Sequence, residues 1–217
     1  MRGRLSNYAL DKFVAPKLSK LTECNIRDMS NYSSRSDHWV SNFVLISLFG
    51  PQVELKLNQH AFFFLRRAEA AFREYDSARG TLCDYLSGER ERVSVYFKAL
   101  FHFETCIAQM YQAFDQTMIF GERITIEKKL IFKQGDGSVY ERLNKLYTYS
   151  RHAADNIPED STVPIWLTNT GIEAKETSIS FAELADLLSE IGVSADTIIN
   201  LRVPPRNEVS ITRKDEE

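Results

Sequence analysis

The chain has 217 residues, with 27 Lys or Arg against 30 Asp or Glu for a net charge of −3, and it is 43% hydrophobic and 26% charged. That balance is ordinary for a globular protein with a sizeable core. It excludes broad electrostatic binding of nucleic acid, though not a local basic patch. Three cysteines, Cys24, Cys83 and Cys106, exclude a disulfide scaffold and an all-cysteine zinc cluster, and fit a reducing compartment. The opening MRGRLSNYALDKF has no apolar h-region. The most apolar stretch, WVSNFVLISLF (Trp39 to Phe49), has about half the length of a bilayer span. The chain therefore reads as a soluble, cytoplasmic protein without a membrane partner. Its 14 Phe and 9 Tyr against 9 Gly and 6 Pro favour long amphipathic helices over a turn-rich sandwich.

Residues 1–50 read as an irregular N-terminal segment whose packing the sequence leaves open. Pro16 interrupts the apolar positions around Phe13, and Asp28 to Asp37 is a polar loop. The run FVLISLF fits a short buried strand or a buried helical turn, and Gly50 and Pro51 punctuate the chain after it.

A helix is predicted from Glu54 to about Asp84, with Phe62, Leu65, Phe72, Tyr75 and Leu82 near one face. Gly80 is expected to break or bend it. SGERE, Ser87 to Glu91, reads as a turn. The strongest periodicity follows, from Val93 to about Met118: Tyr96, Leu100, Phe103, Ile107, Met110 and Phe114 recur in steps of four and three, and Phe97, Phe101 and Tyr111 widen the stripe. A face this broad belongs at the centre of a bundle.

The segment near 120–133 alternates and then clusters apolar residues before a GDG turn, which fits a short β excursion or a crossover. Ser138 with Glu141 reads as a capping box for a helix to about Ala154, and Ser180 with Glu183 as a second. Between them, Pro164 to Phe181 reads as a loop with exposed-strand character at most. Gly192 stands at a natural helix stop, with Ser194 capping a further short helix. Residues 51–202 thus make a helical bundle domain and 203–217 a charged tail. Residues 120–152 are rich in Lys and Arg, whereas 158–199 are acidic, a pattern that suits intramolecular pairing or two faces for different partners.

Catalytic motifs are absent. No Gly-x-Ser-x-Gly or Gly-x-Gly-x-x-Gly occurs, and the four histidines (His38, His60, His102 and His152) never take metal-binding spacing. His102 and Cys106 form an i,i+4 pair beside Glu104 that could supply half a zinc site, but FHFETC reads as a core histidine bonded to a neighbouring helix. No metal or cofactor is expected. The one polar grouping of interest is the basic, aromatic-bearing helix ERLNKLYTYSRH. Arg142, Arg151 and His152 there could meet a phosphate backbone, and Asp155 stands three residues beyond His152, close enough on a helix to orient it. Arg142 and His152 lie about 80° apart around such a helix.

The succession of long helices, with ERLNKLYTYSRHA late in the bundle and an acidic helix after it, resembles the helical fold of the HEPN superfamily (higher eukaryote and prokaryote nucleotide-binding proteins) over roughly residues 54–155. Active ribonucleases of that superfamily share an Arg, a polar residue and, a few positions on, a His. Here Arg142 is too far from His152 and Arg151 is adjacent to it. The resemblance therefore implies an inactive relative acting as an accessory or binding subunit.

The sequence thus predicts a mainly α protein, a bundle of four or five helices. The expected function is a non-catalytic protein-interaction or accessory subunit with a protein partner or self-association. One alternative is an RNA- or nucleotide-binding protein, including a HEPN-like ribonuclease using the helix at 139–154 with His152, Arg142, Arg151 and Asp155. The other is a small helical metalloenzyme.

Overall fold

Long periodic segments become long helices. The computed structural model describes residues 6–49, 55–89, 92–125, 131–158 and 162–200, and it is mainly α with one small sheet. Four short elements come first: α1 (Asn7–Phe13), a 3-10 turn (Leu18–Lys20), α2 (Ser30–Ser36) and α3 (Trp39–Phe49). Next are α4 (Leu55–Asp84) and α5 (Val93–Thr125), then α6 (Val139–Arg151) and the single turn α7 (Ala153–Asn156). The strands β1 (Ile165–Leu167), β2 (Gly171–Ala174) and β3 (Ser178–Ser180) precede α8 (Phe181–Asn200).

The centre is the antiparallel hairpin α4–α5. His60 meets Gln116, Arg67 meets Gln109 and His102 meets Glu74, so residue numbers on one helix rise as they fall on the other. All six residues of the stripe from Tyr96 to Phe114 are buried, as are Leu65, Phe72, Tyr75 and Leu82 opposite them. The predicted widening of the stripe is partly overturned. Phe97 and Phe101 are exposed. Gly80 does not break α4, which runs through it to Asp84.

Among the described residues the β element lies at 165–180. α5 continues to Thr125, residues 131–133 form no strand, and 126–130 lie outside the described residues. The three strands pair antiparallel in chain order, Ile165 opposite Ala174 and Ile172 opposite Ile179. Far from an exposed loop, this sheet buries Ile165, Leu167, Ile172 and Ile179. Its register needs Gly171: a Cβ there would stand 2.1 Å from the Ile179 carbonyl oxygen. The Leu167 amide donates to the Tyr96 hydroxyl at 3.2 Å, fastening the sheet to α5.

Residues 6–49 share the core of the bundle. Leu18, Leu21, Ile26, Met29, Trp39 and Phe43 are buried in one cluster with α4, α5 and α8. The Tyr75 hydroxyl donates to the Arg27 carbonyl at 3.0 Å, and the Val40 amide to Glu69 at 2.7 Å. Two acids of α8 find cations in this segment: Arg27 on Asp186 at 2.6 Å and Arg35 on Asp196 at 2.9 Å. The basic stretch 120–152 meets the acidic stretch 158–199 in the ion pair Arg142–Glu183.

α8 also corrects two expectations. It is one helix from Phe181 to Asn200, and Gly192 lies inside it, not at its end. A Cβ at 192 would come within 2.6 Å of Tyr32 Cδ1 and 3.3 Å of Phe72 Cζ, so glycine admits the Tyr32 ring against the helix.

Candidate functional site

Two surfaces and one set of named residues bear on function. The first surface is the groove between α5 and α6. Tyr111 and Tyr147 stack with ring centroids 4.5 Å apart, and Phe114 meets Tyr140 edge-on at 5.3 Å, so α6 lies antiparallel along α5. Beside these pairs opens a groove of about 420 Å³, lined by Phe101, Glu104, Gln112, Tyr147, Ser150 and Arg151. Burial pushes the Glu104 carboxyl up to about 7, against the opposing hydrogen bond from Ser150. A carboxyl raised this far in a cleft is a common mark of a functional group, although a packed helix contact can produce the same shift. The Arg151 guanidinium donates to the Tyr147 hydroxyl at 2.8 Å and lies 5.9 Å from that ring.

Of the four residues named for phosphate chemistry, only Arg151 lines this groove. Arg142 points to β3 and α8. Its Nη2 donates to Glu183 Oε1 at 2.6 Å, and its Nη1 to Glu183 Oε2 at 3.2 Å and to the Ser178 carbonyl at 2.8 Å. That two-pronged pair holds the Glu183 carboxyl down to about 2. Its geometry follows from the second capping box, which forms as predicted: Glu183 accepts from the Ser180 amide at 2.9 Å and donates its own amide to Ser180 Oγ at 3.2 Å.

The first capping box forms by half. The Glu141 amide donates to Ser138 Oγ at 3.2 Å, but the Glu141 carboxylate accepts from the Gly135 and Gly137 amides, each at 2.7 Å, and so secures the GDG turn. Both glycines have positive φ, 82° and 69°, which brings their amides round to that carboxylate.

His152 is exposed and ends α6, its backbone at φ −108° and ψ 48° and its amide bonded to the Thr148 carbonyl. The helix is interrupted there. Asp155 belongs to the separate turn α7 and donates its amide to the His152 carbonyl at 3.1 Å, so the two do not share the single regular helix assumed from their spacing.

His102 stands as a histidine bonded across helices: its Nδ1 lies 2.7 Å from Glu74 Oε2 on α4. Cys106 is buried, its thiol 3.4 Å from the Ala71 carbonyl, and burial pushes that thiol's pKa up, which makes it a poor nucleophile. Among the described residues, no group of three or more His, Cys, Asp or Glu is placed to hold a metal ion.

The second surface was misread from sequence. FVLISLF belongs to the helix α3, and of α3 only Trp39 and Phe43 are buried. Val44 is 40% exposed, Leu45 54%, Leu48 69% and Phe49 86%, and Leu55 at the start of α4 is 71% exposed. A shallow groove of about 280 Å³ runs beside them, with Phe43, Leu48, Asn58, Gln59 and Phe62 in its walls. Periodicity could not flag this face, because α3 is apolar nearly all round and carries no charged residue. Neither could it flag Glu104, whose environment exists only once α6 has packed on α5; the one signal was an acid inside the apolar run FHFETC.

No helix of the described residues is long and apolar enough to cross a membrane. No protein-family model, no curated protein and no solved structure matches this chain.

Proposed function

We propose that this protein is a non-catalytic protein-interaction or accessory subunit of the cytoplasm that docks its partner on the α3 face. The observation that carries the reading is the run Leu45, Leu48 and Phe49, more than half exposed on a helix without a single charge. Apolar side chains clustered on the surface cost solvation until something covers them, and such patches mark interaction sites. The rival reading, RNA or nucleotide handling by Arg142, Arg151, His152 and Asp155, loses support because Arg142 is committed to Glu183 and Ser178. The resemblance to the HEPN superfamily enters only as architecture: the long hairpin α4–α5 followed by α6 suits an accessory member without the ribonuclease residues.

A photo-crosslinking amino acid placed at position 48 in living cells tests the proposal. Protein adducts at position 48, and none when the same group replaces Phe101 on α5, are expected. Adducts from position 101 with none from 48 would contradict it.

A further inference from the structure

We infer that Cys24 and Cys83 form an oxidation site, where a peroxide joins the two sulfurs in a disulfide that straps the N-terminal segment to the last turn of α4. The site lies at the far end of α4 from the groove beside α3, so it stands apart from the docking proposal.

The register of two packed stretches brings the cysteines together. On α4, Tyr75, Arg79 and Cys83 follow at intervals of four residues and so share one side of the helix. The chain from Cys24 to Asp28 has no regular structure and runs back along that side. The Tyr75 hydroxyl donates to the Arg27 carbonyl at 3.0 Å, and Arg79 Nε donates to the Ile26 carbonyl at 3.3 Å. One turn further along α4, Cys83 comes level with Cys24. The Cys24 thiol has Cys83 as its side-chain hydrogen-bond partner, with the Arg79 charge close by.

Cys24 is held in this position from both sides. Leu21 and Ile26 are buried, and the Thr22 amide donates to Asn169 Oδ1 at 3.0 Å. Two thiols fixed beside each other react as an intramolecular pair, with the loop between them already closed. Cys106 is no competitor, because it is buried against the Ala71 carbonyl.

The two cysteines differ in a way that sets the order of reaction. Cys83 is exposed, so an oxidant reaches it first. Cys24 is half-buried; burial, with Cys83 beside it, pushes its thiol up to about 11 and keeps it protonated. The Cys83 sulfur attacks one oxygen of hydrogen peroxide and the O–O bond breaks. Cys83 becomes a sulfenic acid, and its thiol proton leaves with the second oxygen as water. The Cys24 sulfur then attacks the Cys83 sulfur. An S–S bond forms, the S–O bond breaks, and the Cys24 proton leaves with the hydroxyl as a second water. The thiol pair gives up two electrons, and the peroxide is reduced to two waters.

Peptide mapping of the full chain without reduction, after treatment with hydrogen peroxide, tests the inference. Native wild type should lose two of its three thiols and yield one linked pair of peptides, Cys24 with Cys83, which dithiothreitol separates. In urea the same treatment should give mixed pairings that include Cys106, because the fold no longer selects the partner. Cys24→Ser should leave a sulfenic acid at Cys83 that dimedone traps, and Cys83→Ser should leave Cys24 a free thiol. The wild-type map decides the matter even if either variant fails to fold. Native wild type that keeps all its thiols, pairs either cysteine with Cys106, joins separate chains through Cys83, or oxidises Cys83 without the link would overturn the inference.

Discussion

Arg142 grips Glu183 with both prongs of its guanidinium, Nη2 to Oε1 at 2.6 Å and Nη1 to Oε2 at 3.2 Å, and so ties the second turn of α6 to the first turn of α8. The same carboxylate accepts from the Ser180 amide and hydroxyl. An arginine held in this way orders the junction between sheet and helix. It is not available to a phosphate without breaking that junction.

Arg142→Ala should therefore lower stability by about 1 kcal/mol, a modest loss because the pair is partly solvent-screened. The pH dependence has a definite sign. The Glu183 carboxyl is held from its ordinary 4.5 down to about 2, first by Arg142. A depressed carboxyl stabilises the fold fully above about 4.5, and that contribution fades as pH falls towards 2. Urea midpoints measured from pH 6 downwards should fall more steeply for wild type than for Arg142→Ala; parallel curves would contradict the assignment.

Glu104 has the opposite sign. Burial raises its carboxyl from 4.5 to about 7, so the charged form is the one the fold disfavours. Its contribution is fully present below about 4.5 and is lost as pH rises through 7. Glu104→Gln should remove that loss and raise stability at pH 8 by about 1–3 kcal/mol relative to wild type. Thermal melts at pH 5 and pH 8 would show it.

Two glycines in helices should respond in opposite directions to alanine. At Gly80 an added Cβ meets nothing within 4 Å, so Gly80→Ala should stabilise by about 0.5–1 kcal/mol through helix propensity. At Gly192 the Cβ would meet the Tyr32 ring at 2.6 Å, and that ring is stacked on Phe72 with centroids 5.6 Å apart. The ring cannot yield cheaply, so Gly192→Ala should destabilise by about 1–3 kcal/mol despite its better propensity. Denaturant titration of the two variants side by side gives the comparison.

The centre of the bundle supplies the largest effects. Leu100→Ala and Phe103→Ala should each cost about 2–5 kcal/mol, since both side chains are buried between α5 and its neighbours. Glu74→Ala should cost about 1–3 kcal/mol by leaving His102 without its partner on α4. Chelators should leave the thermal transition of the wild type where it is. Changes below about 0.5 kcal/mol for both Leu100→Ala and Phe103→Ala would show that this face is not a core.

What the sequence made legible follows from physical period. Tyr96 to Phe114 repeat at the helical spacing over five turns, which made the element and its central stripe legible, whereas Phe97 and Phe101, read into the same face, are exposed. Ser180 with Glu183 was readable because a capping box is entirely local. The sheet was not, since strands of three or four residues are too short for alternation to register, and their burial comes from α6, α8 and the Tyr96 hydroxyl. Uniform apolarity hid the exposed side of α3, because a helix apolar all round gives no direction to its buried face. Gly192 misled for a related reason: a glycine that admits a ring and a glycine that ends a helix look alike in sequence. Glu104 acquired its character from α6, far along the chain.

The central claim, that the protein associates and does not catalyse, meets its most direct test in a cleavage assay. Labelled single-stranded RNA is incubated without metal across a range of pH with wild type and with His152→Ala. With Arg142 held by Glu183 and His152 outside one continuous helix with Asp155, the account predicts intact RNA in both. Metal-independent cleavage by wild type that disappears in His152→Ala would contradict it.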